Sequence, residues 1–256
     1  VSPFMVFTEG MLAWPPDPEA WSIRWYKNMI GDCSADVVSS TVPCSTKWMV
    51  GTVNSFYIGI IATVIATALG TLAALGLSRP HMPYKGLIMA ILISPMIVPL
   101  IITAAGMFFF YARINLVYTF TGVILAHVAL ATPFVVITVT ATLVGFDMNM
   151  VKAAQSLGAK PMRTFFKVIM PLILPGIISG ALFAFITSFD EVVIVMFMAS
   201  IDQLTIPKQM WAGIRQEISP VILCMATCLV LLSIFLLTTV ELLRRRSEKL
   251  RGIKAR

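Results

Sequence analysis

Two adjacent carboxylates, Asp190 and Glu191, stand in a stretch that is otherwise free of charge from Gly176 to Ala199. Acids at membrane depth are costly, so they face a cavity or a partner. A carboxylate pair beside a cavity attracts a cation, and more so where the dielectric is low. One reading therefore puts the pair on a solute path, with Asp190 foremost. The other has them pair with a neighbouring subunit or hold their helix against its neighbours. On a helix the two positions are about 100° apart, so both need not face the same way. His127 lies in another apolar run, and a buried histidine bonded to a neighbouring helix is expected there rather than a ligand. Cys224 and Cys228, at i and i+4 with no His or acid joining them, read as reduced packing residues rather than metal ligands. The chain has no GxxxxGK[ST], HExxH or GxSxG motif. It is expected to hold no catalytic residue, no metal and no cofactor of its own.

The elements that would carry these residues follow from composition. Of 256 residues, 58% are hydrophobic and 12% charged, with mean hydropathy +0.90. A soluble domain has about 25% charged residues, so an all-α polytopic membrane protein is expected. The net charge of +7 does not point to nucleic acid. Thirteen of the nineteen Lys and Arg sit at Arg79 and Lys85, at Lys152, Lys160, Arg163 and Lys167, and in the tail after Leu243. Five spans are predicted, at about 51–77, 86–112, 114–146, 176–199 and 221–243. Pro95 and Pro99 fall in the second and Pro133, a candidate kink, in the third. The basic loops place one side of the protein, and the tail 244–256, in the cytoplasm. Glu9 to Lys47 is polar and Trp-containing and reads as an outside loop. Cys33 and Cys44 lie in it. A disulfide between them is permitted on an oxidising side, and two free thiols are the alternative. From Asp202 to Ser219, Ile206, Met210, Ile214 and Ile218 share one face with Trp211 beside it. That pattern reads as a helix lying along the outer interface.

The loop 147–175 holds the remaining signal. Val151 to Leu157 forms a short helix stopped at Gly158, with Asp147 or Asn149 as cap. A second helix opens near Pro161 and carries Lys160, Arg163 and Lys167 on one stripe. This stretch resembles the cytoplasmic loop motif of bacterial binding-protein-dependent ABC importer permeases. That motif reads Glu-Ala-Ala, three residues, Gly, about nine residues, then Ile-x-Leu-Pro. Ala153, Ala154, Gly158, Ile169, Pro171 and Pro175 match it, while position 152 is Lys where the motif has Glu. From Trp21 to Leu243 the chain further resembles the spermidine/putrescine-type permease C family. The segments that carry this are Ser22–Asn28, Ala126–Val139, Ser188–Val193 and Leu204–Pro220.

The resemblance implies a type I ABC importer permease fold, with 1–243 as the permease domain. It implies an inner-membrane subunit forming half of a translocation pore, paired with a second permease as a heterodimer rather than a homodimer. Its partners would be a dimer of ATP-binding subunits, which holds ATP and Mg, a periplasmic substrate-binding protein, and the lipid membrane, with no nucleic acid. Lys152, Ala153, Ala154, Gly158 and Pro171 would couple to the ATPase, and Asp190, Glu191 and Trp211 would flank the path. The solute would be a small organic cation: a polyamine, an opine or a related amino compound. Related polyamine permeases tend to carry an acid after the third-span proline, and here that position is Leu100. They also have six spans with both ends inside, so a first helix is expected ahead of Val1. The competing class is a stand-alone secondary transporter, which often shows internal inverted repeats. No repeat is visible here.

Overall fold

The computed structural model describes residues 23–32, 46–79, 81–144, 149–216 and 220–250. All regular elements among them are helical. They are α1 (Arg24–Met29), α2 (Lys47–Leu77), α3 (Lys85–Ile97), α4 (Leu100–Arg113), α5 (Phe120–Val144) and α6 (Asn149–Ser156). After these come α7 (Pro161–Thr164), a π-helical turn Phe165–Ile169, α8 (Met170–Phe189), α9 (Val193–Met198), α10 (Ile206–Gln216) and α11 (Pro220–Leu250). Among the described residues, four helices are long and apolar enough to cross a membrane, or five spans if α3 and α4 count as one bent span. The chain divides into two compact units, 56–200 and 1–55 with 201–256. Cys33, Cys44 and Asp147 lie outside the described residues.

In the 56–200 unit α5 is the central element. Its apolar residues run all round the helix, and buried positions extend from Gly122 to Thr140. Three of its hydroxyls are satisfied within the helix: those of Thr132, Thr138 and Thr142 donate to the Val128, Phe134 and Thr138 carbonyls at 2.7, 2.9 and 2.9 Å. Glycines let the neighbours close in. A Cβ on Gly180 of α8 would stand 3.0 Å from Val135 Cα, and one on Gly176 would stand 2.9 Å from Thr142 Cβ. On α2, a Cβ on Gly70 would stand 2.6 Å from Val135 Cβ. Small residues at helix crossings bring backbones together in this way where the hydrophobic effect cannot drive association. The contacts also set direction. Tyr57 meets Phe120 edge to face at 5.5 Å and Gly70 meets Val135, so α2 and α5 run parallel. Gly176 meets Thr142 and Gly180 meets Val135, so α8 runs antiparallel to α5.

The structure redraws three of the predicted spans. The run 86–112 is two helices bent by 103° at Val98–Pro99. Val98 and Pro99 are extended, at ψ 134° and 129°. Pro99 has no N–H to give and disfavours helical ψ in the residue before it. Pro95, one turn earlier, stays inside α3. The run 114–146 starts its helix only at Phe120, because Asn115 and Tyr118 adopt positive φ and make a turn. The Tyr118 N–H donates to the Met198 carbonyl at 2.9 Å, which ties that turn to the end of α9. The run 176–199 breaks after Phe189, and its helix begins earlier than its apolar core, at Pro161.

In the other unit, Trp25 and Asn28 of α1 are buried and α1 packs on α11. The first turns of α2 hold the segment ahead of α10. Asn54 Nδ2 donates to the Asp202 and Leu204 carbonyls at 2.7 and 2.9 Å, and the Ile206 N–H donates to Ser55 Oγ at 2.9 Å. Partial burial pulls the Lys208 ammonium on α10 below its ordinary pKa. Cys224 and Cys228 are free thiols, the first buried and the second partly so.

Candidate functional site

The loop helix α6 ends in a fully formed cap. The Gly158 N–H donates to the Gln155 carbonyl at 2.9 Å and the Ala159 N–H to the Ala154 carbonyl at 3.0 Å. These are the two bonds of a Schellman motif, which needs a left-handed residue, and Gly158 has φ +79°. A Cβ at Gly158 would meet nothing within 4 Å. Glycine is therefore demanded here by backbone angle and not by crowding. No residue of α6 is buried. Lys152 and Ala153 are exposed and Ala154 is partly covered. Met150 is exposed, and Leu157 in the turn is 89% exposed. Lys160 is extended and Pro161 opens α7. Pro171 is exposed in the first turn of α8.

The acidic pair sits at the far end of α8 and is split by the backbone. Glu191 is 6% exposed, and its Oε1 accepts the Ile194 N–H at 2.7 Å. It thus satisfies one of the open donors at the start of α9. Asp190, one residue earlier, is exposed and makes no ion pair among the described residues. Beside them, His127 Nδ1 lies 2.8 Å from Ser188 Oγ, which joins α5 to α8. His127 is the buried, helix-bridging histidine that its apolar setting suggests. Its Nε2 has no partner among the described residues.

The structure thus gathers Lys152, Ala153, Ala154 and Gly158 at one end of the 56–200 unit, and Asp190 and Glu191 with Ser188 and His127 at the other. Trp211 belongs to α10 of the other unit and is 47% exposed. Sequence reasoning missed the capping role of Glu191. The available signal was an acid just ahead of the run Val193–Met198, where a helix start welcomes negative charge. No group of three or more His, Cys, Asp or Glu among the described residues could hold a metal.

Comparison with known proteins gives the family. Residues 46–249 match the family model described as "Binding-protein-dependent transport system inner membrane component". The chain belongs to that family. The permease is 30% identical over 196 residues to the spermidine/putrescine transport system permease protein PotC of Haemophilus influenzae, covering 77% of this chain and 76% of the relative. It is 29% identical over 215 residues to the putrescine transport system permease protein PotI of Escherichia coli, covering 81% and 72%. Among solved structures, it resembles a bacterial ABC transporter involved in the import of the acidic polysaccharide alginate. There the TM-score is 0.61 at 15% identity, over 82% of this chain and 70% of that one. It also resembles the MetNI methionine ABC transporter, with TM-score 0.57 at 18% identity over 85% and 100%. These likenesses carry the ABC importer permease fold. The permease is a multi-pass inner-membrane protein, and the match does not favour a stand-alone secondary transporter.

Proposed function

We propose that this permease forms half of the translocation pore for a small organic cation and is driven by a separate ATPase subunit seated on α6. The observation that carries the coupling half is α6 itself. It ends in the defined Gly158 cap, yet it buries none of its residues and leaves Met150 and Leu157 bare. Bare apolar side chains on a capped helix fit a protein partner. The cation half rests on Asp190, exposed at the end of α8, and on relatives named for spermidine and putrescine transport. A polyamine, an opine or a related amino compound supplies the required positive group. The basic end of the 56–200 unit, with Arg79, Lys85, Lys152, Lys160, Arg163 and Lys167 all exposed, is cytoplasmic on this reading, as is the tail. A heterodimeric pore with a second permease, a periplasmic binding protein that delivers solute, and ATP and Mg held by the ATPase dimer complete the proposed assembly.

The test is to purify the tagged chain in mild detergent and ask which proteins accompany it. An ATP-hydrolysing subunit and a second permease are expected. Uptake of labelled putrescine and spermidine by vesicles holding the complex and its binding protein then tests the solute class. A chain that purifies without any ATPase would overturn the coupling half.

A further inference from the structure

The helix from Pro161 to Phe189 is 29 residues long, about 44 Å at 1.5 Å per residue. A hydrocarbon core is about 30 Å thick and needs about 20 residues. From Val168 to Phe189 the helix carries no charge, and that part alone is about 33 Å long. A bilayer centred on the charge-free part would put the residues ahead of it at headgroup depth. Those residues have a two-sided surface. Met162 is 70% exposed and Phe166 58% exposed, at i and i+4. Arg163 and Lys167, one position on, are exposed along a neighbouring stripe, with Lys160 just before them. None of these three cations makes an ion pair among the described residues. The described carboxylates of this unit, Asp190 and Glu191, lie past the opposite end of the same helix.

We propose that Lys160, Arg163 and Lys167, with Met162 and Phe166 beside them, form a binding surface for the headgroups of anionic phospholipids in the adjacent leaflet. An apolar stripe that enters the acyl boundary next to a cationic stripe that meets phosphates is the chemistry of an interfacial segment. Arg and Lys reach phosphate oxygens with charge-assisted hydrogen bonds, while their stems lie along apolar surface. Depth decides for lipid over protein here, because this surface is continuous with the membrane span. The bare residues of α6, by contrast, precede the span.

The test uses the purified transporter in nanodiscs of phosphatidylcholine alone or mixed with phosphatidylglycerol, with retained lipid counted by native mass spectrometry. The wild type is expected to retain phosphatidylglycerol in preference to phosphatidylcholine. The double variant R163Q/K167Q should hold it roughly 30-fold less well, about fivefold for each charge removed. R163K/K167R, which keeps both charges, should retain it and shows that the fold tolerates change at these positions. Equal retention of the two lipids by the wild type, or unchanged preference in R163Q/K167Q, overturns the proposal. So does a double variant that keeps its lipid preference but loses a co-purifying subunit, because the surface is then a protein contact. The readout is lipid retention, so it does not depend on α6 coupling to an ATPase.

Discussion

At the Phe189 end of α8 the polar side chains are buried and bonded: Ser188 to His127, and Glu191 to the first turn of α9. At the Pro161 end, lysines and an arginine stand in the open beside exposed Met and Phe, and α6 buries nothing. The same helix thus has one end finished within its own chain and one end unfinished. Groups whose partners are inside the chain serve the fold. Groups left bare at the other end are the ones to which the proposals above assign partners outside the chain. Asp190 is the exception at the finished end, exposed while its neighbour is buried, and it is the acid that the proposed function gives to the solute.

Substitutions can break or sharpen this contrast. Glu191→Ala has the largest expected effect on the fold. It leaves the buried Ile194 N–H without an acceptor, at a cost of about 1–3 kcal/mol, read as a lower thermal unfolding midpoint in detergent. Glu191→Gln keeps an acceptor oxygen and should lose much less. If Glu191→Ala unfolds like the wild type, the finished end is not what holds α9. Next is Gly158→Val, which forces a β-branched residue into a left-handed turn at about 1–2 kcal/mol. Because an exposed cap can fray without opening the core, the unfolding midpoint should fall less than in Glu191→Ala, while solute-stimulated ATPase activity and uptake fall together. Gly158→Asn, which tolerates positive φ better, should fall between the two. Full coupled transport in Gly158→Val would remove the case for α6 as the coupling helix.

Asp190→Asn is isosteric and exposed, so stability should move by less than about 0.5 kcal/mol. Uptake of the cation should drop several-fold, with assembly and basal ATPase activity retained. A variant that no longer assembles would make Asp190 an interface residue instead. Leu157→Ala has the smallest expected effect on the fold, within about 0.5 kcal/mol, because its side chain touches little. Its mark should be weaker retention of the ATPase during purification, and unchanged retention would mean that α6 docks through other residues.

Much of this was legible in the sequence where a residue acts locally. Gly158 can stop a helix through its own φ, and Pro161 can open one because a first-turn N–H is not needed. The apolar runs marked the spans because burial in lipid depends on composition. What composition does not carry is direction. Pro95 and Pro99 stand in one run, yet Pro95 rides inside α3 while Pro99 turns the chain through 103°. The difference lies in Val98 going extended and in α4 packing on α9, a contact between distant parts of the chain. Asp190 and Glu191 are likewise adjacent in sequence, and only the end of α8 between them and Ser188 decides which is buried. The helix start at Pro161 was legible from the proline; that this helix runs on into the span was not, because its first turns are basic and fall outside the apolar pattern.

The bend at Val98–Pro99 also bears on how the chain is assembled in the cell. Its limbs have 13 and 14 residues, about 20 Å each, and neither alone crosses a hydrocarbon core of about 30 Å. Insertion machinery that reads hydrophobic length would take Lys85–Arg113 as a single segment. The packing of α4 on α9 cannot form until the ribosome has released Val193–Met198, some eighty residues after α4. Pro99 can bend the chain on its own, but the contact that braces the bend has to wait for the second half of the protein.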